Sequence, residues 1–291
     1  MLDHYLLDEL VTFATAKTLA KTAATLHVTQ PTITRGMQKL ETELGVTLFD
    51  RQPNRIRLTA TGQLAAQEAA QLLDQERAMV LRIQNYDRSL TTRPIETTLP
   101  GPLVLLDYLA DQLPTNLAVN RTLLTPSQVG AHLTDHQAAL IFSNQDLQTP
   151  TIESRLIGNE NLTVHLQKFM YQANQATITF DELRGLSFVV LNAIGGWRDI
   201  IQARIPNAKF LYQPQRTAFT EITKYSDFPY FSTNLTPFDA SALTPDDNDN
   251  RVAIPISDAA AHMPIYVSYL TAQRGALTDL IQQFSASWPV D

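Results

Sequence analysis

Thr29-Gln30-Pro31-Thr32-Ile33-Thr34-Arg35-Gly36-Met37-Gln38-Lys39-Leu40-Glu41 is the stretch that decides how the N-terminal part of this chain folds. Ile33, Met37, Leu40 and Leu44 recur at four, three and four residues, the spacing of one apolar stripe along an α-helix. Thr29 suits the N-cap, where its hydroxyl accepts a backbone N–H of the first turn. Pro31 fits beside it, because a first-turn residue has no helical N–H to lose. The side opposite the stripe carries Gln30, Thr32, Thr34, Arg35, Gln38 and Lys39, which are polar, short near the helix start and free of acids. Such a helix start suits a major groove, where Gln and Arg pair with base edges while Thr and Lys hold phosphates. Glu41 and Glu43 follow where the helix would leave a duplex. Upstream, Leu19, Thr22, Ala23 and Leu26 sit at helical spacing, with small residues that allow a close helix crossing and Val28 as the apolar residue of the turn. A single helix of this kind is more often a plain solvated amphipathic helix, and the segment that follows changes the balance.

Gly45 to Thr59 predicts strand, turn, strand, with Pro53-Asn54 at the tip. Leu48, Phe49, Ile56 and Leu58 are placed to pack inward, and Arg51, Arg55 and Arg57 put charge on the hairpin. A basic hairpin directly after a candidate recognition helix is a wing that grips the backbone or probes the minor groove. At this point the sequence resembles the LysR-type transcriptional regulators. The likeness is carried by Thr29-Gln30-Pro31-Thr32-Ile33-Thr34-Arg35, by Leu40-Glu41-Thr42-Glu43-Leu44-Gly45-Val46-Thr47-Leu48-Phe49-Asp50-Arg51, and by Leu58-Thr59-Ala60-Thr61-Gly62, and it covers about residues 2 to 65. The family pattern has serine at Thr29 and Thr34 and usually alanine at Thr22 and Thr61. The predicted DNA-binding set is Thr29, Gln30, Pro31, Thr32, Thr34, Arg35, Gln38, Lys39, Arg51, Arg55 and Arg57.

Bulk properties fit that reading. The chain has 291 residues, 44% hydrophobic and 18% charged, enough apolar material for about two globular domains. It has no cysteine, which excludes disulfides, thiolate metal sites and cysteine nucleophiles and suits a reducing cytosol. The acidic N-terminus, MLDHYLLDEL, lacks the basic region of a secretory signal, and no apolar run has membrane-spanning length, so a cytoplasmic location is expected. Net charge is −7, yet between residues 17 and 60 seven cations stand against three acids. A small basic segment on an acidic body suits a protein that docks one face on DNA.

Residues 60–90 contain no proline and predict one helix about 45 Å long. Its apolar series runs Ala65, Ala69, Leu72, Glu76, Met79, Ile83, Tyr86, Leu90, broadened by Leu73, Val80 and Leu81. A small headpiece cannot bury all of it, so Leu72, Met79, Ile83 and Tyr86 are the expected dimerisation residues. A helix packed on its own chain is the alternative. Two-fold symmetry implies a roughly palindromic DNA site, and the resemblance adds a dimer of dimers. The expected domains are 1–60, a winged helix-turn-helix; 61–90, a linker and dimerisation helix; and 91–291, an α/β regulatory domain.

Beyond Arg93-Pro94, strand-like and helix-like pieces alternate, which predicts an α/β domain with mostly parallel strands. The strands are placed at 96–99, 117–123, 138–142, 162–166, 186–191, 209–212 and 265–270. The helices are placed at 103–112, 127–133, 196–204 and 276–288. The resemblance implies two α/β lobes like those of periplasmic solute-binding proteins, one of residues 95–160 plus about 267–291 and one of about 162–265. A ligand in such a fold sits at strand ends and helix starts between the lobes. The candidate effector residues are Leu99, Gly101, Ser143, Asn144, Asn192, Gly195, Gly196, Trp197, Ser232 and Thr233, each of which ordinary turn chemistry would also explain. The family often places a hydroxyl residue just after the first strand of this domain to meet a carboxylate effector. Leu99-Pro100-Gly101 stands here instead, which argues against small aromatic or dicarboxylic acids. His132 and His136 at i,i+4 could form half a metal site, but no carboxylate motif or thiol completes it. Thr244 to Asn250 is a polar loop without the Gly and terminal Glu of a calcium loop. No GxSxG, GK[ST] phosphate loop or dinucleotide fingerprint is present, so neither an enzyme nor a cofactor nor a metal is expected. A small-molecule-binding protein whose headpiece serves only assembly remains the alternative to a regulator.

Overall fold

The computed structural model describes residues 2–52, 55–240 and 250–289. Pro53-Asn54, the expected hairpin tip, and residues 244–249 of the polar loop lie outside the described residues. The chain divides into two compact units, Met1–Gln84 and Asn85–Asp291, each with its own buried core.

The first unit contains helices α1 (His4–Ala16), α2 (Leu19–Thr25) and α3 (Gln30–Leu44), then an antiparallel hairpin of β1 (Phe49–Gln52) and β2 (Arg55–Leu58). Helix α4 (Ala60–Ser89) begins in this unit and runs past its end. Helices α2 and α3 each have a side-chain cap at their start. The hydroxyl of Thr18 accepts from Lys21 N at the head of α2, and that of Thr29 from Thr32 N at the head of α3. Gly45 ends α3 in the left-handed region, φ 69°, where it returns its N–H to Glu41 O. Thr59 starts α4: its hydroxyl accepts from Gly62 N at 2.9 Å and reaches back to the carbonyl of Leu48. Leu6, Leu10, Phe13, Ile33, Met37, Leu40, Leu48 and Phe49 form the core together with Ala66, Ala69 and Leu73 of α4. Phe13 and Phe49 meet edge to face, their centroids 5.4 Å apart. The stripe on α3 ends one residue earlier than expected: Leu44, in the last helical position beside Gly45, is exposed rather than buried.

The second unit has two lobes joined by long strands. In the first lobe β3 (Arg93–Thr97), β4 (Leu117–Val119) and β5 (Leu140–Ser143) pair in parallel, with helices α5 (Pro100–Tyr108) and α6 (Val129–Thr134) between them in sequence. Strand β6 (Ile152–Gln167) then crosses into the second lobe. There β7 (Ser187–Leu191), α7 (Trp197–Arg204), β8 (Lys209–Gln213), α8 (Arg216–Tyr225), β9 (Tyr230–Thr233) and β10 (Arg251–Pro255) follow. Strand β11 (His262–Leu270) returns to the first lobe, and α9 (Arg274–Ser287) packs on it. The N-terminal part of β6 pairs with β11 as far as Asn161; from Leu162 its partners are β9 and β10. One buried cluster runs through both lobes.

The expectation of mostly parallel strands needs correction. Parallel pairing holds for β3 with β4 and β5 and for β7 with β8, whereas every pair made by β6 or β11 is antiparallel. The physical reason is that the chain crosses between lobes twice, in opposite directions. The expected strand at 162–166 is the second half of a 16-residue strand. Its first half, Ile152 to Asn161, escapes a hydrophobic scan because Glu153 and Glu160 are buried acids. Glu153 is held by the hydroxyl of Tyr269 at 2.8 Å and by Arg274 Nε at 2.8 Å, and these donors keep its carboxyl below the usual range, Arg274 contributing most. The strand expected at 117–123 covers only Leu117–Val119, and the helix expected at 103–112 is α5, starting at Pro100, plus a short 3-10 turn.

Candidate nucleic-acid interface and ligand cleft

Burial of Ile33, Met37 and Leu40 against α1 fixes how α3 is rotated. It leaves Gln30, Pro31, Thr32, Arg35 and Gln38 exposed, with Thr34 half-buried. Thr34 turns its hydroxyl back to donate to Gln30 O at 3.1 Å. Thr29 is exposed too, and its hydroxyl lies 2.9 Å from that of Thr32. Both small hydroxyls therefore shape the helix start as well as facing outward. Arg51, Arg55 and Arg57 are exposed on the hairpin. A groove of about 520 Å³ runs between these elements, lined by Gln30 and Thr34 of α3, Arg51 and Arg55 of the hairpin, and Lys17 and Thr18 before α2.

Three details depart from the sequence reading. The ammonium of Lys39 pairs with Asp3, hydrogen-bonds Tyr5 Oη at 3.2 Å and lies 3.7 Å from Glu43. The Asp3 bond most of all raises its pKa above the ordinary lysine value. Lys39 is thus not the free phosphate-holding cation that its place on the polar side suggested. Glu41 does more than follow the recognition segment. Its Oε1 accepts the backbone N–H groups of Leu48 at 2.7 Å and Phe49 at 3.0 Å, while Oε2 pairs with Arg51 at 2.7 Å. Burial acts to raise the Glu41 pKa, but the two amides and Arg51 outweigh it and hold the carboxyl below its usual range. One carboxylate thereby ties the end of α3 to the root of the hairpin. Lastly, the sequence reading missed Lys17, which adopts a left-handed φ of 64° at the end of α1 and reaches the groove; the only signal for it was its charge.

Beneath α3 lies a buried acid. Glu9 of α1 packs over Gly36, where a Cβ would run into its carboxyl. Among the described residues its Oε2 has no hydrogen-bond partner, and burial pushes the pKa up to about 7.

The second unit holds a cleft of about 650 Å³. Of the ten candidate effector residues, Gly101, Trp197, Ser232 and Thr233 line it. Leu99, Asn192, Gly195 and Gly196 do not; their neighbours Pro100, Ala193 and Ile194 do. Gly195, φ 57°, presses its backbone on the Pro100 ring, where an added Cβ would come within 2.6 Å of Cδ. Ser143 and Asn144 are likewise outside the lining. Ser143 is buried and its hydroxyl donates to Gln145 O at 3.0 Å, so turn chemistry accounts for it. The residues that sequence reasoning overlooked are Glu160 and His165, on the crossing strand, and Arg216 and Asp239. His165 stacks on Tyr230 and its Nε2 is 2.8 Å from Ser232 Oγ; Arg216 pairs with Asp239 at 2.7 Å. Burial raises the Glu160 pKa, an effect only partly offset by the Trp197 and Thr233 side chains.

The i,i+4 histidines serve other ends. His132 Nδ1 is 2.7 Å from Glu96 Oε2, and the His136 ring meets Tyr86 edge to face. Among the described residues no cluster of three or more metal-ligating side chains exists, and no helix is long and apolar enough to cross a membrane.

Among known protein families, residues 6–63 match the bacterial regulatory helix-turn-helix proteins, lysR family. The HTH-type transcriptional regulator TcbR of Pseudomonas sp. (strain P51) is 44% identical over 64 residues, 22% of each protein. The HTH-type transcriptional regulator BenM of Acinetobacter baylyi is 27% identical over 151 residues, 51% of this chain and 50% of BenM. The matched stretches therefore span from 22% to 50% of these relatives' length. Among solved structures, Vibrio fischeri DarR in complex with DNA superimposes over 100% of both chains with a TM-score of 0.60 at 14% identity, a likeness of fold.

Proposed function

The chain belongs, through residues 6–63, to the lysR family of bacterial regulatory helix-turn-helix proteins, and on that premise we propose that it is a sequence-specific DNA-binding transcription regulator responding to a small molecule. The observation that carries this reading is the rotation of α3. Its apolar stripe is locked into the core, while Gln30, Arg35 and Gln38 face outward beside a hairpin bearing Arg51, Arg55 and Arg57. Gln30 and Arg35 read base edges from the helix start. Arg55, Arg57 and Lys17 contact backbone beside the groove, and Thr29, Pro31, Thr32 and Thr34 set the close approach of the helix start to the duplex. Lys39 and Arg51, with carboxylates already beside them, contribute less.

The working unit is a homodimer. Helix α4 buries Ala66, Ala69 and Leu73 but leaves Leu72, Met79, Val80, Leu81, Ile83 and Tyr86 exposed, and Leu90 just past its end is exposed too. An apolar row of that extent favours pairing with a second copy, and the two-fold then sets a roughly palindromic site. Selection from a randomised duplex pool tests the whole proposal. The reading expects one enriched two-fold motif, bound in a strongly salt-dependent way. An unenriched pool would leave the headpiece as an assembly module. In the same preparation, Ile83→Asp should shift the chain toward monomer in sedimentation and weaken the motif more than tenfold; an unchanged dimer would remove α4 from the interface.

A further inference from the structure

We propose that the cleft of the second unit takes an uncharged, largely apolar ring compound and turns away carboxylates and other anions. This rests on reading the cleft as the effector site and adds the chemical class of its ligand.

The walls are mostly apolar, with Val104, Leu162, Ile194, Phe219, Phe231 and Leu235 facing the space. At about 650 Å³ the cleft has the size of a small-molecule pocket. Charge within it is arranged against an anion. Arg216 is the only lysine or arginine among the described lining residues, and it pairs with Asp239 at 2.7 Å. Glu160 is almost wholly buried, and its carboxyl abuts Gly101, where any Cβ would collide with it. Burial and two uncharged donors act on it, with no cation beside it among the described residues. An anion entering here would lose its hydration without an unpaired cation to replace it, and it would meet a carboxyl.

A neutral ligand meets a different balance. Burial favours the protonated form of Glu160, which supplies one O–H donor to a ligand carbonyl or ether. The indole of Trp197 and the side chain of Thr233 stand beside that carboxyl as uncharged donors, so the corner is polar without being cationic. A protonated carboxyl at one end of an apolar slot orients a molecule that has an acceptor at one end and rings at the other. His165 and Ser232 close on each other at 2.8 Å and so leave this corner as the polar end.

Three near-isosteric probes, 2-naphthamide, 2-naphthoate and 2-naphthylmethylammonium, test the inference on the full chain at neutral pH. The readout is calorimetry together with quenching of Trp197, one of only two tryptophans. The amide should bind one per chain, at least about tenfold more tightly than either ion, a difference of about 1.4 kcal/mol. Trp197→Phe should abolish the quenching while the thermal melt shows the chain still folded. Asp239→Asn, which frees Arg216, should strengthen naphthoate binding by about tenfold and leave the amide unchanged. Equal or tighter binding of naphthoate, preference for the ammonium, failure of all three to bind, or an Asp239→Asn variant with unaltered naphthoate affinity would each overturn it. Duplex selection on the same preparation separates the two readings: its failure removes the regulator and leaves the charge preference of the cleft standing.

Discussion

The two units of this chain put their polar residues to opposite uses. In the headpiece the polar face of α3 points outward and the apolar one inward, so a stripe of Ile33, Met37 and Leu40 is enough to say which side is free. In the second unit the polar groups of the candidate site line a cleft, and two of them, Glu160 and His165, sit on a strand that crosses between lobes. A surface site built on one helix is legible from local periodicity. An internal site built by chain crossing depends on contacts far apart in sequence, such as Leu162 with Thr233 and His165 with Tyr230.

Each unit has its own buried core, so the two should melt independently. Phe13 is 1% exposed and packs on Phe49 in the headpiece core. Phe13→Ala should cost about 3–5 kcal/mol and unfold the headpiece in a thermal scan while the transition of the second unit stays put. A common shift of both transitions would show that the cores melt as one.

A smaller effect distinguishes the buried acids. The Glu9 pKa is raised to about 7 in the folded headpiece from the ordinary glutamate value of 4.5. The folded form then holds a proton that the unfolded form has lost between those values, so the contribution of Glu9 to stability is fully present below about pH 4.5 and is lost as pH rises through about 7. The loss should be on the order of 1–3 kcal/mol. Denaturant titrations across that range measure it, and Glu9→Gln should flatten the slope. A headpiece that grows more stable over the same window would contradict a buried, unpaired Glu9.

The smallest expected change concerns the wing. Arg55→Ala should weaken binding to all duplexes alike by about 0.5–1 kcal/mol and lower the salt slope by about one. Loss confined to one base pair would move Arg55 from backbone contact to base reading.

Most of the headpiece was legible because its signals are local: the cap at Thr29, the apolar stripe of Ile33, Met37 and Leu40, and the basic hairpin. What escaped there were ion pairs. Asp3 with Lys39 and Arg51 with Glu41 join residues that no periodicity connects. In the second unit the order of elements could be followed in part, and of the residues named from loop positions Gly101, Trp197, Ser232 and Thr233 line the cleft. The Ile152–Asn161 half of β6 was not, because buried Glu153 and Glu160 break its apolar run; their partners Tyr269, Arg274, Trp197 and Thr233 lie on other elements. Strands β9 and β10 and helix α8 were missed as well, being short or mixed in polarity.

The claim on which the account turns is that the outward side of α3 reads bases, and quantitative binding of Arg35→Ala to the selected duplex and to a scrambled one measures it most directly. The account predicts a loss of about 1–3 kcal/mol on the selected duplex, with relaxed preference at one base pair per half-site and little change on the scrambled sequence. Full affinity and unchanged base preference in the variant would contradict it.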